Sequence, residues 1–310
     1  SAGAAITSGV ENTIIGALAG DALTEGLQNV AVGYQALSAA TTGNSNVAIG
    51  RLALATETVA DRSVAIGYQA LKDQNYGSDT DVYNIAIGYN AGTSVTTGTH
   101  NTLIGGLSGD ALTDGQFNVT LGYQTLGNSV SSSSNTAIGY NAMGDGVTTG
   151  GSNVAVGSNA GKNLTSGAFN VLIGRNAGDA LTDGDANVAI GYLALSSEDG
   201  HGRNIAIGQQ ALEDLNAGAD GNNIAIGYDC GKQMTTGVAN VLVGNGAGDA
   251  LTTGIENTAL GHGALSAEDT ASFNTAIGRS ALLACDGGSN NTALGYLALV
   301  SNTSAANNTT

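Results

Sequence analysis

The sequence predicts an all-β protein, a parallel β-solenoid of about 17 coils, from three observations. A motif of Asn, a β-branched residue, usually Ala, an aliphatic residue and Gly recurs along the whole chain. Its closing glycines, from Gly16 to Gly295, number 17, and thirteen of the 16 steps between them are 17 residues long. The 310 residues include 49 Gly but no Pro or Trp, which suits thin layers of small side chains. Helical repeats need longer units, whereas two short strands and two corners fit this length.

Each motif predicts a short strand with two faces. The residue before the glycine is Ile, Val or Leu in every copy, and the residue two places earlier is Val, Ile or Thr. Because side chains alternate across a strand, these two columns share one face, which we expect to be the interior. The residue between them, Ala in 12 copies, is then expected to point outward.

An asparagine opens the motif in 16 copies, with Ser63 as the exception. Stacked coils would place these amides about 4.8 Å apart, so that each bonds the amide or corner backbone of its neighbour. The sequence therefore predicts a structural ladder of Asn12, Asn29, Asn46, Asn84, Asn101, Asn118, Asn135, Asn153, Asn170, Asn187, Asn204, Asn223, Asn240, Asn257, Asn274 and Asn291.

A second interior column conserves volume. Four residues after the motif glycine the chain has Leu, Met or Gly, and the seven coils with Gly there carry a large apolar residue three places further on. Leu215 is an exception, since Leu212 precedes it in the same coil. Each coil thus supplies about one large apolar group from its second strand, as a close-packed core requires.

The coils are organised in blocks of four, because the segment Gly92–Gly98 is echoed at Gly161–Gly167 and Gly231–Gly237. Each copy is followed by a Gly-Asp-Ala-Leu-Thr coil, and that segment also occurs in the first coil at Gly20. We expect a lead-in over 1–11, a single solenoid over 12–300 and a polar tail over 301–310. No composition break indicates a domain boundary within the solenoid.

Charge excludes several classes of partner. The net charge is −17, from 25 acidic and 8 basic residues, and no basic cluster exists to displace counterions from phosphates. We therefore expect neither a nucleic-acid partner nor an anionic membrane surface. No apolar run reaches the length of a membrane span, and the first residues lack the pattern of a signal peptide.

The segments Asn135–Ala142, Asn29–Ala36, Asn84–Ala91 and Asn187–Ala194 resemble the head repeat of trimeric autotransporter adhesins, the YadA-like head. The chain is more closely similar to the 17-residue arrays of phage tail fibres, over roughly residues 12–300. The resemblance implies a left-handed β-roll and a homotrimer. It indicates architecture and does not identify a receptor.

Two groups of residues are candidate contacts. Large aliphatic residues replace the mid-strand Ala only in the Gly-Asp-Ala-Leu-Thr coils, and as interface knobs they would be shielded in a chain–chain contact: Ile14, Leu103, Leu172 and Leu242. The alternative is inverted strand polarity, which places them in the chain's own core. Eight tyrosines directly follow the motif glycine and could stack on sugars or on one another: Tyr34, Tyr68, Tyr89, Tyr123, Tyr140, Tyr192, Tyr228 and Tyr296.

Catalytic and metal sites are not expected. His100, His201 and His262 lie at least four coils apart, too far to serve one triad or one metal. The acidic turns, such as Asp110–Gly115, are interpreted as solvated, with calcium as the alternative. Cys230 and Cys285 lie three coils apart, beyond disulfide reach, so no bond is expected between them.

The sequence thus predicts a non-enzymatic fibre segment without cofactors, a rigid spacer in a phage tail or head fibre that serves host attachment. The expected partners are further copies of the chain and other virion or fibre proteins. The alternative is a bacterial surface adhesin head that binds glycan or matrix. The expected location is accordingly the virion or the cell exterior.

Overall fold

The computed structural model describes residues 1–267, 270–284, 287–301 and 306–310. The described chain is a parallel β-solenoid of about 17 turns, as predicted, and contains no α-helix. It divides into two compact units, Ser1–Ser152 and Asn153–Thr310. The first unit contains β1 Thr13–Ile15, β2 Val30–Val32, β3 Val47–Ile49, β4 Val64–Ile66, β5 Ile85–Ile87, β6 Thr102–Ile104, β7 Val119–Leu121 and β8 Thr136–Ile138. The second contains β9 Val154–Val156, β10 Val171–Ile173, β11 Val188–Ile190, β12 Ile205–Ile207, β13 Ile224–Ile226, β14 Val241–Val243, β15 Thr258–Leu260, β16 Thr275–Ile277 and β17 Thr292–Leu294.

Within each unit, each three-residue strand pairs in parallel with the same strand of the next coil, so that equivalent motif positions stack. Ile14 lies beside Ala31 in the first unit, and Leu172 lies beside Ala189 in the second. Each residue position of the repeat therefore forms a column along its unit. We number the coils 1 to 17 by their strands and assign to each coil the residues that flank its strand.

The motif glycines make the corner that follows each strand. Gly33 has φ +131°, and a Cβ there would lie 2.7 Å from the carbonyl oxygen of Gly50 in the next coil. Because that contact is with backbone, it cannot relax cheaply, and glycine is required where consecutive coils approach this closely. Further along each coil, non-glycine residues such as Gln35 and Leu37 also adopt positive φ.

The core is thin and consists mainly of alanine and leucine. The mid-strand residues, such as Ala31, Ala48 and Ala65, are fully buried, and so are Leu37, Leu54 and their equivalents four residues after the glycine. In the coils with glycine at that place, the compensating residues are buried as well: Leu23, Val95, Leu112, Leu164, Leu181, Met234 and Leu251. The predicted compensation between these two positions is confirmed.

The predicted polarity of the strand is wrong. The mid-strand residue faces the core, while the β-branched and aliphatic residues on either side are half-buried or exposed. The reason is volume: two β-branched columns facing a leucine across so narrow a coil would overfill it, whereas alanine facing leucine fits. The buried ladder asparagine also lies two residues before the alanine, so strand alternation places both on the inner face.

The ladder asparagines are buried, except for the partly buried Asn12 at the first coil, and they connect consecutive coils. The side-chain oxygen of Asn153 accepts the backbone N–H of Asn170 at 2.9 Å, and that of Asn170 accepts the N–H of Asn187 at 2.9 Å. The amide nitrogen of Asn170 donates to the carbonyl oxygen of Gly184, at the corner of the next coil, at 2.8 Å. Both bonds recur in most coils, so the side chain satisfies buried backbone groups that the strands leave open. The exceptions include Asn204, whose amide nitrogen donates to the carbonyl oxygen of Gly202, and coil 4, where Ser63 replaces the asparagine.

Both chain ends continue the repeat. Gly3 donates to the carbonyl oxygen of Ala19 at 2.9 Å, so part of the expected lead-in stacks on the first coil. In the expected polar tail, the N–H of Asn308 donates to the side chain of Asn291 at 3.0 Å, and Thr309 forms a bridge with Thr292. The described part of 301–310 therefore adds a rung to the ladder and is not a free tail.

Candidate functional site: the outer face of the sheet

In each unit the outward-facing first and third residues of the strands form a largely apolar surface, which we call the aliphatic floor. Two of its members, Ile15 and Leu121, are 60% and 48% exposed. None of the 17 strands contributes a charged residue to this surface. The third strand residue is Ile, Val or Leu in all 17 strands and the first is Val, Ile or Thr, so each unit exposes an unusually extended apolar surface for an isolated chain.

The predicted chain–chain contacts do not lie on this surface, which corrects our expectation. Leu103, Leu172 and Leu242 have 0–1% of their surface exposed within a single chain, and Ile14 is partly buried against the same core. They are buried because the mid-strand residue faces the core, and the glycine four residues after the motif glycine leaves room for a side chain larger than alanine. The methyl carbons of Leu103 lie over Gly92 and Gly109, where a Cβ would come within 2.7 and 2.9 Å of them.

The eight predicted tyrosines belong to the post-glycine column, defined as the residues that directly follow the motif glycines. Tyr68 stacks on Tyr89 with ring centroids 5.2 Å apart, and Tyr123 stacks on Tyr140 at 5.8 Å. Arg51 lies over the ring of Tyr68 at 5.5 Å. Seven of the eight are 42–69% exposed: Tyr34, Tyr89, Tyr123, Tyr140, Tyr192, Tyr228 and Tyr296.

Sequence reasoning missed a second aromatic column, formed by the residues that directly precede the ladder asparagines. In this pre-asparagine column, the rings of Tyr83 and His100 lie 5.4 Å apart, and those of His100 and Phe117 lie 5.0 Å apart. Arg62 lies over the ring of Tyr83 at 5.7 Å. Reading every coil at this position would have found the column, because Phe117, Phe169 and Phe273 share it. The aliphatic floor is thus bordered by two columns rich in aromatic residues and arginine.

The charges divide unevenly between this face and the rest of the surface. All five arginines lie in the two border columns. Arg51, Arg175 and Arg279 follow the glycine, Arg203 precedes an asparagine, and Arg62 stands at the same place before Ser63, which replaces the asparagine in coil 4. Only two acidic residues, Glu11 and Glu256, share those columns. Five arginines minus two glutamates give +3 here, and three lysines minus 23 acidic residues give −20 elsewhere, which sum to −17.

A second group of polar residues lies in coil 11. Among the described residues, only Glu198, Asp199 and His201 bring three potential metal-ligating atoms within 4.8 Å of one another. Glu198 is fully buried, and its Oε1 lies 2.8 Å from Nδ1 of His201 and accepts the backbone N–H of His201 at 3.0 Å. Its Oε2 accepts the N–H of Ala217 at 3.3 Å. The carboxylate of Glu198 thus has three partners, the backbone N–H groups of His201 and Ala217 and Nδ1 of His201. These contacts suit a structural role in holding the turn together.

The first carboxylates of the acidic turns are partly buried. Burial raises the pKa of Asp110, Asp179 and Asp249, and the nearby Asp229 raises that of Asp249 further. Oδ1 of Asp249 is buried and accepts no hydrogen bond from the described part of the chain. The paired acids predicted in each turn do not converge, since Asp114 is exposed and accepts a bond from its neighbour Thr113. The turns therefore present single carboxylates.

We expect Asp249→Asn to raise the melting temperature more at pH 7 than at pH 4. The folded-state pKa of Asp249 lies above the unfolded value, so the folded state binds the proton more tightly and stability falls as pH rises through the folded pKa. The asparagine side chain does not ionise, so the variant does not lose this stability as the pH rises. Thermal unfolding by circular dichroism at the two pH values measures it, with the exposed Asp79→Asn as the control. Equal shifts at both pH values would contradict the expectation.

Cys230 is buried and free, and burial raises the pKa of its thiol to about 12. Its Sγ lies 3.2 Å from the carbonyl oxygen of Leu242. Such a thiol is an unreactive core group at neutral pH. Cys285 lies outside the described residues, so the expected absence of a bond between the two cysteines stays a prediction.

No protein-family model and no curated protein matches this chain. Within the described residues, no helix has the length and apolar character needed to cross a membrane.

Proposed function

We propose that the chain is a non-enzymatic structural fibre segment, a stiff spacer that self-associates through its aliphatic floor and serves host attachment in a phage tail or head fibre. The observation that carries the proposal is the uncharged floor on a chain of net charge −17. Copies of so acidic a chain repel one another everywhere except along this face. Covering the floor removes apolar surface from water and lines up the stacked coils of several copies.

Stiffness follows from the stacking in each unit. Within each unit, consecutive strands pair in parallel, and in most coils the corners and an asparagine amide also bond to the next coil, as Asn170 does to the coils on either side. Bending a unit would strain all these bonds together. In the proposal the assembly is a homotrimer of left-handed rolls, and its location is the virion or the cell exterior.

The self-association is tested by two adjacent residues of β6. Ile104→Asp places a charge on the floor, and we expect a folded monomer in place of a trimer because an interface excludes an unpaired charge. Leu103→Asp places the same charge in the core, and we expect it to abolish folding. Multi-angle light scattering measures mass, and circular dichroism measures folding. A folded Leu103→Asp variant, or a trimer of Ile104→Asp, would overturn the proposal.

A surface adhesin is the second candidate, and the exposed post-glycine column favours it. Rings such as Tyr89, 58% exposed, and Tyr228, 48% exposed, offer apolar surface with a hydroxyl at the tip. A glycan or matrix partner retained by the folded trimer and lost on Tyr228→Ala would favour this role. Straight rods in electron micrographs with no retained glycan would favour the spacer.

A further inference from the structure

The corner of coil 11 brings together one histidine and two carboxylates. Glu198 is fully buried, whereas the side chain of His201 is 25% exposed and that of Asp199 is 58% exposed. Nδ1 of His201 lies 2.8 Å from Oε1 of Glu198 and 3.9 Å from Oδ1 of Asp199. Imidazole nitrogen and carboxylate oxygen are both zinc ligands, and an open zinc site has three protein ligands with water as the fourth. The wide spacing of the three histidines does not exclude such a site, because it needs only one of them.

Coil 3 shows what the same corner needs for folding alone. Glu57 occupies the place of Glu198 and is also fully buried. The residues one and three places after it are Thr58 and Ala60, where coil 11 has an aspartate and a histidine. Oε1 of Glu57 accepts the backbone N–H groups of Thr58 and Ala60 at 2.9 and 3.0 Å. A buried glutamate therefore holds this corner together without a histidine or a second carboxylate, and coil 11 carries two ligand groups more than the fold requires.

The distances in coil 11 suit a small divalent ion. Tetrahedral bonds of about 2.0–2.2 Å place the ligand atoms about 3.4 Å from one another. The two separations from Nδ1 of His201, 2.8 and 3.9 Å, lie on either side of this value. A carboxylate oxygen has two lone pairs, so Oε1 of Glu198 can keep the backbone N–H of His201 and bind an ion in place of the ring proton. The imidazole then carries its proton on Nε2.

Hydrogen bonds to neighbouring segments hold the backbone of the corner in place. Oγ1 of Thr182 donates to the carbonyl oxygen of Asp199 at 2.6 Å. The ladder amide of Asn187 donates to the carbonyl oxygen of His201 at 3.0 Å. Because both exposed ligand residues are fixed at the backbone, an ion pays less entropy to collect them than it would on a free loop.

A third carboxylate lies beside the group, in the acidic turn of coil 10. A Cβ on Gly200 would be 2.6 Å from Oδ1 of Asp183, so this carboxylate lies over the middle of the corner, and the glycine leaves room for it. The next arginine along the chain, Arg203, is paired with Asp220 at 2.8 Å. Three carboxylates within one corner attract a cation from solvent.

We propose that Glu198, Asp199 and His201 bind a divalent transition-metal ion of the zinc type, with water completing its coordination and Asp183 adding negative charge beside it. An imidazole ligand favours such ions over Ca²⁺, which takes six to eight oxygen ligands. The ion joins the buried glutamate to two side chains at the surface and so braces the corner. All four residues belong to one chain, so the proposal does not rest on self-association.

Titration of the metal-free full chain with Zn²⁺ tests the site. We expect one bound ion per chain by equilibrium dialysis and elemental analysis. The melting temperature should rise with Zn²⁺ because the ion binds the folded state, and Ca²⁺ at the same concentration should cause no such rise. Loss of a group that only orients a metal ligand typically weakens binding about 10–100-fold, so His201→Ala should weaken it at least about tenfold.

Asp199→Thr with His201→Ala is the matched variant, because it gives coil 11 the residues that coil 3 has at Thr58 and Ala60. The glutamate keeps a corner of a kind that the chain already contains. We therefore expect the circular dichroism spectrum of the unmodified chain, with neither a retained ion nor a zinc-dependent rise in melting temperature.

His100→Ala and His262→Ala separate this site from adventitious binding, since they remove the other two histidines of the chain. Both should bind Zn²⁺ as the unmodified chain does. The proposal is overturned if the unmodified chain retains no zinc at micromolar free Zn²⁺, if His201→Ala retains it equally well, or if either of these two variants loses it. Light scattering measures self-association separately, so a failure here leaves the proposed function standing.

Discussion

Leu172→Ala should destabilise the chain by about 2–5 kcal/mol, and Gly178→Ala by about 1–3 kcal/mol from crowding alone, yet the double variant should lose less than the sum of the two. Leu172 is fully buried, and its Cδ2 would lie 2.8 Å from a Cβ built on Gly178. Glycine at position 178 therefore leaves the space that the side chain of Leu172 occupies. Removing the leucine leaves a space that the new methyl group partly fills, so the two changes should couple favourably.

Gly263→Ala is the matched control for this cycle. Gly178 and Gly263 have φ values of +55° and +61°, so an alanine at either position pays about 1–2 kcal/mol for left-handed backbone. The nearest atom to a Cβ on Gly263 lies 3.8 Å away, so this variant has no crowding. Denaturant unfolding of the four chains gives the coupling. Additive losses from Leu172→Ala and Gly178→Ala would show that the side chains do not share one space.

The architecture could be predicted from the sequence because it follows from the length of the repeat and from the pattern of apolar residues within it. The spacing of the motif glycines predicts the stacked coils, and the alternation between residues such as Leu37 and Leu112 predicts where the large core groups lie. Both signals depend on repetition alone. A single coil would have been uninformative.

The face of the strand could not be predicted from hydrophobicity, because β-branched residues suit both an interior and a covered exterior. The decisive signals were Asn and Leu. Asn101 is buried and lies two residues before Leu103, so both side chains are on the same face of the strand. The mid-strand residue is a large one such as Leu103 only in coils that have a glycine such as Gly109 to make room for it. Reading those two positions together fixes the polarity. The pre-asparagine column was missed for a related reason, since only the stacked structure shows that Tyr83, His100 and Phe117 are in contact.

The asparagine ladder has one exception, in coil 4, where Ser63 takes the place of the asparagine. Ser63 is too short to reach the next coil, and the buried Gln74 takes over. Its amide nitrogen donates to Oγ of Ser63 at 2.9 Å, and its oxygen accepts from Asn84 at 2.9 Å. The same nitrogen lies 3.2 Å from a carboxylate oxygen of the buried Glu57. In this coil a second buried polar side chain thus hydrogen-bonds the hydroxyl of Ser63 and the side-chain amide of Asn84.

Asn170→Ala should therefore destabilise the chain more than removal of an exposed amide. The change leaves the N–H of Asn187 and the carbonyl oxygen of Gly184 without their partner inside the protein. At about 1–3 kcal/mol for each buried group, the loss should be about 2–6 kcal/mol.

Asn128→Ala is the control for this prediction, because Asn128 is exposed and donates one bond to the carbonyl oxygen of Asp145 at 3.0 Å. Water replaces that bond, so the change should cost under about 1 kcal/mol. Denaturant unfolding of both variants measures the difference, and hydrogen exchange at the N–H of Asn187 locates it. Equal stability of the two variants would show that the ladder contributes no more than surface bonds, and unchanged protection of that N–H would show that another group has replaced the amide.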